Sequence, residues 1–154
     1  MKAYVLQREQ ELGITISEAW DFFSSPRNLQ KITPPKMGFN IVSEYVSPKM
    51  YSGQLIEYRV KPLLGIPLKW ITEIKNVKDE TYFIDEQRFG PYRFWYHEHW
   101  FEATEKGVKM IDRVTYGLPM GLLGRLAHRL FVRKQLETIF DYREEQINAL
   151  YPVK

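Results

Sequence analysis

There is no cysteine among the 154 residues. A disulfide framework, a thiolate nucleophile and a Cys-based zinc site are therefore excluded. No apolar run approaches the roughly 20 residues that span a bilayer, so no transmembrane segment is expected. The opening, Met1 to Val5, is strand-like and lacks the apolar stretch of a signal peptide. A cytoplasmic address is the expectation. No Gly-x-Ser-x-Gly occurs, and Gly121-Leu122-Leu123-Gly124 lacks the lysine and the strand context of a phosphate loop. Repeats, low-complexity stretches and linker-like runs are missing as well, which predicts a single domain over residues 1–154.

What is present is enough for a sizeable core. Hydrophobic residues make up 44% and aromatic residues 15% of the chain, far from disordered compositions. The net charge of +3 is small, and Lys and Arg are spread along the whole chain, interleaved with acids. Nucleic-acid proteins concentrate basic residues on one element, so no nucleic-acid partner is expected.

The chain divides by its periodicities. Ala3 to Leu12 reads as a strand ended by Gly13. Thr15-Ile16-Ser17-Glu18 offers a capping box, or a Ser17 N-cap, for a helix that Pro26 stops within about two turns. A second short helix is predicted near Arg27 to Ile32, closed by Pro34-Pro35. From Phe39 to Tyr116 the period is two. Ile56, Tyr58 and Val60 alternate with charges, as do Leu68, Trp70, Thr72 and Ile74 in part. Turns are expected at 64–67, 78–80, 89–91 and 105–107, with strands near 81–88, 92–103 and 108–116. After Pro119 the period becomes helical. Leu126, Leu130, Leu136, Ile139, Phe140, Ile147 and Leu150 predict one apolar stripe. The expected fold is α+β, with a curved antiparallel sheet of six to seven strands around a long C-terminal helix and two short helices after strand 1.

That order and its local words resemble a known superfamily. They are Pro26-Arg27-Asn28-Leu29, Ile32-Thr33-Pro34-Pro35, Gly53-Gln54-Leu55-Ile56-Glu57-Tyr58 and Ile66-Pro67-Leu68-Lys69-Trp70. Asp85-Glu86-Gln87, Gly90-Pro91-Tyr92, Trp95-x-His97-x-His99-x-Phe101, Asp112-Arg113-Val114-x-Tyr116 and Phe140-x-Tyr142-Arg143 continue them. The chain resembles the START/Bet v 1-like (SRPBCC) helix-grip proteins, often grouped with polyketide cyclases and dehydratases. Within them it looks like the small bacterial ligand-binding-domain proteins. The resemblance implies a pocket between sheet and helix for a hydrophobic molecule such as a lipid or a polyketide-like aromatic. Fold alone does not fix function.

Several residues carry chemistry. Trp95, His97, His99 and Phe101 share one strand face. Two histidines there could be an acid/base pair or metal ligands with Glu86 or Asp112 as a third. They could equally orient a ligand in an aromatic cavity, or be satisfied by Asp85 or Asp112. A metal needs three or four converging ligands, and the remaining His128 is far along the chain, so neither metal nor cofactor is expected. Asp112 sits with Met110, Val114 and Tyr116 on an inward face and needs a partner. Arg143, within the apolar stripe, is an ion-pair partner for a sheet carboxylate or a hook for a ligand's acidic head. Asp85 and Gln87 share a face with Phe83 and Phe89, which leaves that strand's orientation open.

The expected ligand contacts are Tyr58, Trp70, Thr72, Trp95, His97, His99, Phe101, Asp112, Tyr116 and Arg143. These residues favour binding of a small hydrophobic or amphipathic molecule. The alternative is a cyclase/dehydratase-type enzyme working through His97, His99 and Asp112, one imidazole keeping a nitrogen free toward the cavity. A third reading is a helper domain. In it Arg125, Arg129 and Arg133, in the basic first half of the last helix behind Leu122 and Leu123, meet an anionic membrane surface or an acidic partner. A solvated face is the plainer account of those charges.

Overall fold

The structure, a computed structural model, describes residues 2–63 and 65–153. Met1 of the opening strand and Leu64 of the turn at 64–67 lie outside the described residues. Strand β1 (Ala3–Leu12) turns its even-numbered residues inward, with Leu6, Gln10 and Leu12 buried. Helix α1 (Ile16–Phe23) follows. Its capping box forms as the sequence predicts. The Glu18 backbone N–H donates to Thr15 Oγ1 (3.3 Å), and the Thr15 N–H donates to Glu18 Oε2 (2.8 Å). The second short helix is 3₁₀ (Pro26–Ile32), with Pro26 in its first turn where a missing N–H costs nothing. A further 3₁₀ turn spans Pro35–Met37.

Six more strands complete one antiparallel sheet in the order β1-β7-β6-β5-β4-β3-β2. They are β2 (Asn40–Ile41), β3 (Leu55–Leu63), β4 (Ile66–Lys78), β5 (Tyr82–Phe89), β6 (Phe94–Thr104) and β7 (Gly107–Gly117). From β2 to β7 each strand lies beside the one before it, and β1 closes along β7. Register shifts between Ile71 and Thr72 and between Ile74 and Asn76 bend the long β4. They also settle the orientation of β5. Phe83 is buried and Asp85 borders the interior, while Phe89 lies beyond the shift, exposed.

The last helix runs from 121 to 150 as α2 (Gly121–Ala127), a π-helical turn (His128–Val132) and α3 (Arg133–Leu150). Its inward stripe differs from the predicted one. Gly124, His128, Val132, Leu136, Phe140, Arg143 and Ile147 are buried, whereas Leu126, Leu130 and Leu150 are exposed. From Gly124 to Phe140 the buried residues recur every four positions. A four-residue step overshoots a 3.6-residue turn, and the wider π turn absorbs the drift. His128 holds that turn in place. Its ring stacks on Tyr4 (centroids 3.5 Å apart), and its Nε2 lies 2.9 Å from the Tyr116 hydroxyl. Among the described residues no helix is long and apolar enough to cross a membrane.

Two apolar cores hold helix to sheet. One gathers Leu12, Trp20, Phe23, Phe101, Met110 and Ile147. The other gathers Leu6, Trp95, Val114, Val132, Leu136 and Phe140. Arg8 pairs with Asp141 (3.2 Å), and Gln10 donates to the Glu144 carbonyl and to Asn148 Oδ1, tying β1 to α3. Truncating the fully buried Ile147 to alanine should cost about 2–5 kcal/mol in urea denaturation. A loss below about 1 kcal/mol would mean that this contact does not hold the helix end.

Candidate functional site

The two cores leave a polar layer between them. On β6, His97 and His99 lie between Trp95 and Phe101; on β7, Asp112 lies between Met110 and Val114. On α3, Arg143 lies between Phe140 and Ile147. Strand register assembles the cluster. Asp85 is directly opposite His97, and Asp112 directly opposite His99. Each carboxylate is therefore also diagonal to the other histidine, within reach of its ring.

The distances follow. Asp112 Oδ1 is 3.1 Å from His97 Nε2 and 2.7 Å from His99 Nδ1. Asp85 Oδ2 is 3.0 Å from His99 Nε2 and 3.6 Å from His97 Nδ1. Arg143 Nε approaches Asp112 Oδ2 at 3.4 Å. Proximity and alignment disagree at two atoms. His99 Nδ1 and Arg143 Nε are buried without an aligned hydrogen bond, so both contacts are electrostatic rather than directional.

Burial pushes the Asp112 carboxyl up, but the charges of Arg143 and His99 and the two imidazole contacts outweigh it and hold it well below the ordinary range. Burial and the neighbouring His99 push His97 down, so it stays neutral. Burial also acts against His99, yet Asp112 and Asp85 together raise it. Arg143, and His99 through its raised affinity for a proton, offset the carboxylates, as a buried ionic group requires.

Beside this layer lies a cavity of about 180 Å³. Its polar wall is Asp85, His97, His99 and Arg143. Tyr58, Trp70, Thr72, Tyr92 and Trp95 supply aromatic and hydroxyl surface from the sheet side, with Trp70 Nε1 donating to Thr72 Oγ1 (3.0 Å). Phe22, Phe23, Leu29 and Ile32 close the end under the short helices, and Leu136, Ile139 and Phe140 form the helical wall. Burial, with the Asp85 charge, raises the Tyr58 phenol, which stays a neutral donor.

Seven of the ten expected contacts border the cavity: Tyr58, Trp70, Thr72, Trp95, His97, His99 and Arg143. Three do not. Phe101 packs under α1 against Trp20 and Phe23. Tyr116 is engaged with His128, and Asp112 lies behind the histidines as their shared partner. Glu86, one candidate third ligand, is on the other face, 3.9 Å from Lys75. Asp85 takes that place. Asp85, His97 and His99 offer ligand atoms within 4.8 Å of one another, so the converging third ligand that the spacing of the histidines did not reveal is there. A divalent cation at that point would compete with the proton on His99. Sequence reasoning also missed the walls from α1, Phe83 and Tyr92; for Phe83 and Asp85 the signal was their shared inward parity.

No protein-family model matches this chain, and no curated protein does. Solved structures do. Protein CV1439 from Chromobacterium violaceum aligns with a TM-score of 0.69 over 96% of each chain at 13% identity. The Bet v 1 homologue Ara h 8.0201 aligns at 0.60 over 96% of this chain and 99% of its own, with 15% identity. This chain has the helix-grip fold. Protein SA2116 from Staphylococcus aureus, described as of unknown function, shares it at a TM-score of 0.66 and 10% identity, over 97% of this chain and 96% of its own. At such identities the likeness is one of architecture, and the helix-grip interior has to be read from its own residues.

The charge assignment is open to test by imidazole nitrogen NMR. His99 should keep its second proton as pH rises past 6.5, whereas His97 should remain neutral as pH falls below 6.5. A raised folded-state pKa means that His99 stabilises the fold fully below 6.5 and loses this contribution as pH climbs through its folded value. Asp112 acts in the opposite sense, stabilising above 3.8 and failing as pH falls through its lowered value. Two imidazoles titrating together near 6.5 would refute the assignment.

Proposed function

We propose that this helix-grip protein binds, and carries or presents, a small amphipathic molecule with an apolar body and an acidic or strongly hydrogen-bonding head. One observation carries the reading. An aromatic-walled cavity of about 180 Å³ ends on a polar wall formed by Asp85, His97, His99 and Arg143. A pocket that is apolar along its length, with a few convergent polar groups at one end, is the usual form of a small-molecule site. Cavity size limits the body. A void of about 150 Å³ holds a benzene-sized molecule, so 180 Å³ suits a single ring or a short acyl chain. A long-chain lipid would need the helix to shift outward.

The acid/base alternative required an imidazole nitrogen free toward the cavity. All four nitrogens of His97 and His99 lie within 3.6 Å of a carboxylate oxygen. That arrangement favours a fixed polar wall over a proton shuttle, and binding over cyclase or dehydratase chemistry.

Native mass spectrometry of the purified protein should show a retained small mass that is lost on denaturation. Trp70 and Trp95 stand in the cavity wall, so titration with single-ring aromatic carboxylates should change tryptophan emission saturably. Ile139→Trp, at a half-buried cavity position, should abolish both effects with the fold intact by circular dichroism. Wild-type protein with neither a retained mass nor a saturable response would overturn the binding reading.

A further inference from the structure

The turn of the helical stripe that carries His128 inward has a consequence on the other side of the helix. Leu122, Leu123, Leu126 and Leu130 are between 54% and 73% exposed. Met120 stands beside them at the helix entry, on left-handed backbone (φ +65) that a non-glycine residue rarely adopts, and is exposed too. Contiguous large apolar side chains on a surface mark an interaction site. The i, i+4 row Leu122–Leu126–Leu130 is flanked by the row Arg125–Arg129–Arg133, all exposed.

Charge tells what covers this face. From Arg113 to Leu136 the sequence holds no aspartate or glutamate. Lys134, and Lys36 and Lys61 from across the fold, line a groove with Leu130 and Phe131. That groove shares Met37, Gln135 and Ile139 with the lining of the interior cavity. Basic side chains thus border both the exposed leucines and a groove whose wall is shared with the cavity. A second copy of the chain would bring arginine rows against each other. An anionic surface suits both the leucines and the arginines, whose long stems reach from an apolar layer to the headgroups.

We propose that the face formed by Met120, Leu122, Leu123, Leu126 and Leu130, with Arg125, Arg129 and Arg133, docks on an anionic lipid bilayer. Docking sets the groove that shares its wall with the cavity beside the membrane. Only the exchange of a cavity ligand with the bilayer rests on the binding reading above; docking itself does not.

Co-sedimentation with phosphatidylcholine vesicles, with and without a phosphatidylglycerol fraction, tests it. The protein should pellet with the anionic vesicles, weaken as salt rises, and remain in solution with phosphatidylcholine alone. Arg125→Gln and Arg129→Gln should each weaken binding roughly fivefold, and the Leu122→Ser/Leu123→Ser pair should abolish it. All these positions are exposed, so the fold should persist by circular dichroism. Leu29→Trp, in the cavity lining but not in the groove, should still bind vesicles, which separates failure of docking from failure of the binding reading. The proposal is overturned if anionic vesicles do not retain the protein, if neutral vesicles retain it equally, or if the variants bind like wild type. It is also overturned if sedimentation shows a dimer that the leucine variants dissolve, since a second copy then covers the face.

Discussion

The arrangement depends on one buried ionic layer. Asp85, His97, His99, Asp112 and Arg143 come from β5, β6, β7 and α3, and they sit between two apolar cores that the same elements build. Removing one member of such a set leaves a buried charge uncompensated, at about 3–5 kcal/mol. Replacing the whole set with matched apolar residues is often neutral or stabilising. Stability therefore does not explain the layer. Its members come from β5, β6, β7 and α3, so it links those four elements, and it leaves a polar wall at the edge of a cavity.

The cavity persists because its walls are stiff. Trp70 crosses Trp95 nearly at right angles (87°) with centroids 5.5 Å apart, and Tyr92 meets both. Rings locked edge to face cannot fold into the space beside them without losing those contacts. Aliphatic side chains at the same places would collapse into the void. The short helices behind Pro26 bring Leu29 and Ile32 over the open end, so the aromatic walls are capped without a further strand.

Much of this was legible in the sequence because its signals were local. The capping box at Thr15 and Glu18, the proline stop, and the period-two runs through Ile56–Val60 and Trp95–Phe101 depend on neighbours in the chain. So does the inward position of Asp112. The helix stripe held at Leu136, Phe140 and Ile147 and failed ahead of them, at Leu126 and Leu130, for a physical reason. Leu126 and Leu130 continue an apolar period, but the residues that reach the sheet are His128 and Val132, and only stacking on Tyr4 and pairing with Tyr116 reveal the π turn that puts them there. Asp85 was hard to place for a related reason. Its face depends on register shifts in β4, a property of pairing rather than of the β5 sequence. Phe101 and Tyr116 had the right parity and the wrong depth, since a strand face longer than the cavity passes from cavity to core without any change of pattern.

The charge count of the layer constrains what the cavity can accept. On the binding reading proposed above, a neutral polar head adds no charge to a layer in which Arg143 and His99 face two carboxylates. An anionic head adds one negative charge to a desolvated site. Arg143 can turn toward it only by sharing its attraction to Asp112, whose low pKa depends on that same guanidinium. The group able to take up an offsetting proton is His97, which burial and the neighbouring His99 keep unprotonated and which already has a carboxylate at each ring nitrogen. Uptake of an anion and uptake of a proton by His97 are then thermodynamically linked. On the proposed binding reading, a preference for acidic over neutral heads would therefore show as a pH dependence of binding, while the apolar walls set the size of what enters.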